Sequence, residues 1–349
     1  MNSRAHPGWI GRHKAVFALL ALSGILLGLV AGWAVYLNQQ IASVPRIELN
    51  LDEDERPQRP TGSSADAVNI LLAGADAGDA DGPSIAESVA EGEWIPGSHR
   101  SDTIMVLHVT ADRDHAYLVS VPRDSWVDIP GYGMEKINAA FSFGGPSLYV
   151  RTLEDFTGLR MDHLAIIDWE GFKDLTSSLD GVEVYIPETV RDPNGGTVWE
   201  KGRHTVEGEE ALRYVRQRHG LPGGDFDRIE RQQNLLRSLM QKLVSAGTLV
   251  NPIKLSNALE AISGNLVVDD GFSTRDMRGL ALSLRGLSTN DVTFVTVPVR
   301  GLDRIRGQSV VLVDENRTKG LFGAVMADEL GLYLRNHEAD LLGEPGTVS

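Results

Sequence analysis

Cysteine is absent from all 349 residues, so the chain has neither a disulfide framework nor a thiolate metal site. Positive charge is in deficit: 33 lysines and arginines stand against 48 aspartates and glutamates, a net charge of −15. That balance argues against general nucleic-acid binding, which leaves a basic footprint. The chain contains no P-loop and no G-x-G-x-x-G placed after a strand. It has no His-rich metal motif, and the lack of a G-x-S-x-G elbow argues against an α/β-hydrolase serine. What is present is a hydrophobic content of 42%, ample for a real core.

The first apolar feature is a run from Ala15 to Leu37, long enough to cross a hydrocarbon core of roughly 30 Å as a helix. Arg4, Arg12 and Lys14 precede it with no acid among them, which predicts residues 1–14 in the cytoplasm and the rest outside the cell membrane. Trp33 and Tyr36 suit the outer interface. The rival reading is a cleaved signal peptide, whose apolar region is normally about 7–15 residues and ends in an A-x-A site. This run is longer and lacks such a site, so a single-pass anchor over 15–37 is expected. Residues 38–67 carry an acidic run, Asp52 to Glu55, then Pro57, Pro60 and Gly62, and read as an extended extracytoplasmic tether.

From Val68 to residue 335 strands and helices alternate, which predicts one three-layer α/β/α domain around a central mixed sheet. V-N-I-L-L-A (Val68 to Ala73) is a buried strand bounded by Gly74. Asp76 lies just past its end, where open α/β sheets bind ligands, although an Asp after Gly is also a common turn residue. Ala77 to His99 shows no period and reads as a flexible insertion. Asp102 to Thr110 and His115 to Val121 read as a hairpin around A-D-R-D. Arg100 and Asp102 stand at the mouth of its first strand, and Arg123 follows its second. Helices are expected at Ser147–Thr157, Trp169–Leu179, Glu207–Val215, Pro252–Ala261, Thr274–Leu284 and Leu321–Leu330. Strands are expected at His163–Ile167, Val182–Ile186, Val292–Val297 and Ser309–Val313, a loop at Val190–His204, and a loose polar tail over 336–349. Trp94, Trp126, Trp169 and Trp199 read as core or loop anchors.

The most informative stretch is R-Y-V-R-Q-R-H-G-L-P-G-G-D-F-D-R-I-E-R-Q-Q, Arg213 to Gln233. Arg216 and Arg218 are two apart, so on an extended arm they point to one side. Gly220, Pro222, Gly223 and Gly224 break the chain, and Asp225 is placed to cap a helix starting at Phe226. On that helix Arg228, Arg231 and Gln232 share a face, beside a stripe of Ile229, Leu236, Met240 and Leu243. Guanidinium groups from an arm and a helix suit a ligand with several anionic oxygens, such as pyrophosphate. From spacing alone the cluster reads equally as a solvated charged face.

This arm resembles the arginine-rich motif of the LytR-CpsA-Psr family of bacterial cell-envelope phosphotransferases. Three further blocks resemble the family in the same order: N-I-L-L-A-G-A-D (Asn69 to Asp76), R-S-D-T (Arg100 to Thr103), and V-S-V-P-R-D-S (Val119 to Ser125) followed by K-I-N-A-A (Lys136 to Ala140). The resemblance implies a polyprenyl-pyrophosphate-linked glycan as donor and a peptidoglycan hydroxyl as acceptor. Asp76 and Asp102 match the family's metal-binding aspartates, for Mg²⁺ or Mn²⁺. Arg100, Arg123, Arg216 and Arg218 match its pyrophosphate-binding arginines, and Arg228, Arg231 and Gln232 match the rest of the arm. Asp76, Arg100, Asp102 and Arg123 form the implied catalytic set. A polyprenyl-pyrophosphate hydrolase and a non-catalytic lipid-binding envelope regulator are the alternative readings.

Overall fold

The computed structural model describes residues 32–33, 35–77, 99–192, 198–217, 219–221, 223–243 and 251–343, with single positions 85, 88, 94, 96, 97 and 245. The first half contains β1 (Arg46–Ile47), β2 (Val68–Ala77), β3 (His99–Val109), β4 (Ala116–Ser120), β5 (Trp126–Ile129), β6 (Gly133–Lys136) and α1 (Ala139–Thr157). Then come β7 (His163–Asp168), α2 (Trp169–Ser178), β8 (Val182–Ile186), β9 (Val190–Arg191), β10 (Val198–Trp199), β11 (Gly202–Val206), α3 (Gly208–Arg216) and α4 (Asp225–Leu243). The chain continues through α5 (Pro252–Asn265), β12 (Leu266–Asp269), α6 (Thr274–Ser283), β13 (Val292–Thr296), β14 (Val299–Ile305), β15 (Gln308–Val313), α7 (Glu315–Met326) and α8 (Leu330–Leu334).

The main sheet runs β1-β12-β7-β2-β3-β4-β13. It is mixed: β2 pairs parallel with β7 and antiparallel with β3, and β4 pairs antiparallel with β3 and parallel with β13. Strand alternation divides the apolar residues between two faces. Leu71, Ala73, Ile104, Val106 and Val119 pack under Tyr149, Val150 and Leu153 of α1 and Leu321, Phe322 and Val325 of α7. On the other face Ile70 and Val268 meet Met277 and Leu280 of α6, while Met105, Leu118 and Phe294 meet Leu236 and Met240 of α4. The three layers are therefore present. A further apolar cluster joins α2, α3 and the β8–β11 pair to Leu235 and Leu239 of α4.

Several expectations are corrected. The 38–67 segment is docked along the domain rather than extended as a tether. Val44 is buried, β1 adds to the sheet edge against β12, and Arg56 reaches Glu154 (2.7 Å). The insertion after β2 lies largely outside the described residues, but Ile85 and Ser88 are buried and Trp94 packs on Phe141 (5.0 Å). Val190–His204 supplies the β9–β10 pair and part of β11, which closes antiparallel on β8. The tail is not loose as far as residue 343: Leu342 N–H donates to Phe294 O (3.0 Å), and buried Asp340 accepts from Arg317 (2.6 Å). The expected 15–37 span falls outside the described residues except for 32–33 and 35–37, and among the described residues no helix is long and apolar enough to cross a membrane.

Candidate functional site

β2 does not stop at Gly74; it continues to Ala77, so Asp76 lies within the strand, opposite Arg100. The pairing slips between Gly74 and Ala75: Gly74 faces Thr103 and Ala75 faces Ser101, which leaves Asp102 as the extra residue of a bulge. Bulges re-aim side chains next to sites. Gly74 permits the close approach, since a Cβ there would sit 2.9 Å from Thr103 Cβ. Ser101 is fully buried and meets the Tyr149 hydroxyl (2.9 Å), which fixes the strand against α1.

Beyond β4 the chain turns at V-P-R-D-S. Ser125 Oγ donates to Pro122 O (2.7 Å), Asn138 N–H donates to Arg123 O (3.2 Å), and Ile137 N–H donates to Ser125 O (2.8 Å). The Pro122–Ser125 turn and the K-I-N segment thus brace each other. Arg123 Nη1 donates to Asp102 Oδ1, its Nε faces Asp124 Oδ2 at 3.8 Å, and Lys136 Nζ pairs with Asp124 Oδ1 at 3.0 Å. Asp102 and Arg123 remain 22% and 16% accessible, so this ion-pair chain borders solvent.

Opposite lie α2, α3 and α4. Asp168 caps α2 by accepting from Gly171 N–H (2.8 Å); burial raises its pKa, and that cap bond opposes the shift. Capping fixes the first helical residue, Trp169, and Arg216 lies over its ring at 4.5 Å. Arg216 is the last residue of α3, not part of an extended arm, and Arg218 lies outside the described residues. α4 is seated by Gln233, fully buried, whose Nε2 donates to Ser120 Oγ (2.7 Å), Val295 O (3.1 Å) and Thr296 Oγ1 (3.1 Å).

These elements enclose a cleft of about 670 Å³. Arg100, Asp102, Arg123, Arg216, Arg228 and Gln232 line it, as the sequence pattern anticipates. Arg231 does not: it is fully buried, stacks over the Tyr214 ring at 4.8 Å and donates to Gln217 Oε1 at 3.2 Å. Burial lowers its pKa, with Tyr214 and Asp227 acting in the other direction. The face of α4 holding Arg231 supports the arm from behind, because Arg228 and Arg231 diverge once Gln233 sets the helix rotation. The expected stripe is present and wider: Ile229 is buried, Leu236, Met240 and Leu243 are half-buried against apolar clusters, and Leu235 and Leu239 are buried beside them. Nothing is described of the Asp76 or Asp225 side chains.

Sequence reasoning passed over several lining residues. Trp169 read as an anchor and Asp124 was given no role, yet both line the cleft with Glu135, Lys136 and Gln308. Trp169 follows directly on β7, so the strand-end rule applied to Asp76 would have found it. Among the described lining residues, Arg100, Arg123, Lys136, Arg216 and Arg228 face Asp102, Asp124 and Glu135, five cations to three carboxylates. A local positive surplus in a chain of net charge −15 focuses potential on an anionic ligand.

Fold and cleft together define the class: a three-layer α/β protein with an arginine-rich cleft at the carboxyl end of its central strands. The model of the LytR_cpsA_psr family matches residues 35–325, and the chain belongs to this LytR-CpsA-Psr family. The cell wall biosynthesis protein LcpA of Corynebacterium glutamicum is 33% identical over 350 residues, covering 90% of this chain; the chain spans 66% of that relative's length. The structure of TagT bound to LIIa-WTA matches with a TM-score of 0.60 at 23% identity, over 82% of this chain and 100% of that one. A LytR-Csp2A-Psr enzyme from Actinomyces oris matches with a TM-score of 0.61 at 20% identity, over 81% and 96%. At these identities the two structures speak to the fold.

Proposed function

We propose that the chain is a cell-wall glycopolymer phosphotransferase, held at the outer face of the membrane by a span beginning near Ala15. In this reading an acceptor hydroxyl on peptidoglycan bonds to the sugar-linked phosphorus of a polyprenyl-pyrophosphate glycan. The bond from that phosphorus to the polyprenyl phosphate breaks, polyprenyl phosphate leaves, and the hydroxyl proton is lost. The observation that carries the reading is the convergence of Arg100, Asp102, Arg123, Arg216, Arg228 and Gln232, drawn from distant blocks, on one cleft. The description of LcpA as a cell wall biosynthesis protein agrees with it.

Phosphoryl transfer asks mainly for positioning and charge neutralisation. Arg123 is oriented by Asp102 and Asp124, and Arg216 by the face of Trp169, so their planar forks are prearranged for phosphate oxygens. Arg100, exposed at the strand end, and Arg228, buried on α4, close the two sides. The carboxylates of Asp102 and Asp124 give this cleft hard oxygen donors. They fit Mg²⁺, which takes one or two carboxylates and completes its shell with water and phosphate oxygens. Asp102, with Asp76 on the paired strand, would hold the ion. Bound there, it supplies Lewis-acid stabilisation of phosphoryl oxygens.

The test is incubation with a polyprenyl-pyrophosphate oligosaccharide, Mg²⁺ and peptidoglycan fragments, with products identified by mass. Transfer predicts an acceptor heavier by the glycan phosphate, lost with EDTA and restored by Mg²⁺. Glycan phosphate released without any acceptor adduct would make the protein a hydrolase, and no turnover at all would leave a lipid-binding regulator.

A further inference from the structure

The chain leaving the apolar run is fastened to the domain at the end away from the cleft. Residues 35–42 are helical. Trp33 Nε1 donates to Ser256 Oγ (3.1 Å) and Ser263 Oγ donates to Gln40 Oε1 (3.0 Å), so this helix runs parallel to α5. α5 runs antiparallel to α2: Asn265 at its end donates to Asp174 Oδ2 (3.3 Å), and Lys254 at its start donates to Asp180 Oδ2 (2.6 Å). α2 starts at the cleft with Trp169. The start of α5 is therefore the end remote from the cleft, about 20 Å away at 1.5 Å per residue.

α6 lies on the other side of the exit helix and points its last turn the same way. Its first residue, Thr274, accepts from Arg46 Nη2 (2.8 Å), and Arg278 one turn later donates to Asn38 Oδ1 (2.8 Å). Leu282 follows after another turn. Three helix ends thus converge where the apolar run enters, and each presents an exposed apolar side chain: Val35 (58%), Ile253 (70%) and Leu282 (59%). Scattered exposed apolar residues need no explanation; three gathered around one chain entry, with Arg278 and Arg285 exposed beside them, do.

We propose that this end of the domain rests on the outer leaflet of an anionic bilayer, with the cleft at the opposite end; the inference rests on the membrane-span reading given above. Trp33 marks the interfacial level, where indole rings concentrate. Ile253 lies one turn before Ser256, about 4.5 Å nearer the lipid, within the roughly 5–10 Å depth reached by interfacial apolar faces. Arg278 and Arg285 meet lipid phosphates, each basic residue near such a surface adding attraction. The exit helix, clamped to α5 and α6, sets the orientation, so the domain does not tumble on a free tether. The cleft then stands about 20 Å above the bilayer.

The chain's lack of cysteine makes the test direct. Ile253→Cys, Leu282→Cys and, on the cleft-side hairpin, Met134→Cys are each labelled with a fluorophore in the full-length protein. The proteins are reconstituted into phosphatidylglycerol–phosphatidylcholine vesicles, and circular dichroism checks the fold. Doxyl-labelled lipid should quench the labels at 253 and 282 several-fold more than the label at 134, and soluble iodide should show the reverse order. Equal lipid quenching at all three positions, in protein that floats with the vesicles, overturns the docked surface while leaving the anchor intact. Protein that fails to float after an alkaline carbonate wash overturns the anchor reading and the docked surface with it.

Discussion

At the amino end of β2, Asn69, His108 and Asp328 form a closed set. His108 is 1% exposed and uses both ring nitrogens, Nδ1 toward Asn69 Oδ1 (2.7 Å) and Nε2 toward Asp328 Oδ1 (3.0 Å). Asp328 Oδ2 accepts from Ala111 N–H (3.0 Å), and Asn69 N–H donates to Asp162 Oδ2 (2.9 Å). At the carboxyl end the ionisable groups border solvent, and among the described residues cations outnumber carboxylates around open space. Polar groups of similar kind thus serve two purposes. Where polar groups are buried against fixed neighbours, they hold the fold; where charged groups line an open cleft, they are placed to meet the anionic ligand of the proposed function.

The largest expected effect lies at the cleft. Arg123→Ala removes the guanidinium that joins Asp102 to the proposed phosphate. Each charge-assisted hydrogen bond lost costs about 1.5–3 kcal/mol, so kcat/KM for transfer should fall on the order of a hundredfold or more. Asp102→Ala should fall comparably and lose its response to Mg²⁺, while thermal unfolding of both variants stays near wild type. Loss of stability without a specific loss of turnover would erase the contrast between the two ends.

The opposite end should respond in stability alone. Asp328 has a left-handed backbone (φ 59°), which glycine accepts, so Asp328→Gly removes the carboxylate without steric strain. His108 Nε2 and Ala111 N–H then lose their partner, for about 1–3 kcal/mol, read as a lower Tm. Transfer per folded molecule should be unchanged.

A smaller effect is expected with pH. Burial lowers the pKa of His108 below its ordinary 6.5, and the Asp328 carboxylate only partly opposes the shift. The unfolded chain therefore binds a proton that the folded chain refuses. Stability from this group is full above pH 6.5 and falls as the pH drops through and below that value. Tm measured across this range should show the fall, and His108→Gln should flatten it. Smallest of all is Arg203→Ala, which breaks an exposed pair with Glu183 and should cost about 0–1 kcal/mol.

The contrast was partly legible in the sequence. Period-two alternation gave Val182–Ile186 outright, and strand ends brought Arg100, Asp102 and Arg123 together. The bulge was not legible: a slip at Gly74–Ala75 depends on how Thr103 packs across the strand pair, not on local propensity. Helical spacing correctly put Arg228 and Gln232 on the cleft, but it could not separate Arg231, whose direction follows from Gln233 anchoring to β4 and β13 and from the Tyr214 ring. Residues 38–67 looked too polar to fold alone. Here Arg56 and Glu53 dock on Glu154 and Arg160 of the domain. Most of the expected anchor and the Asp76 carboxylate lie outside what is described.

The central claim is that the cleft arginines grip pyrophosphate rather than decorate a solvated surface. Arg216→Lys keeps the charge but loses the planar fork and its fit over Trp169. Steady-state kinetics of glycan transfer should show kcat/KM for this variant reduced about ten- to a hundredfold, against an unchanged value for the exposed Arg335→Lys. Wild-type kinetics in Arg216→Lys, with circular dichroism unaltered, would contradict the account and return the cleft's arginines to an ordinary charged surface.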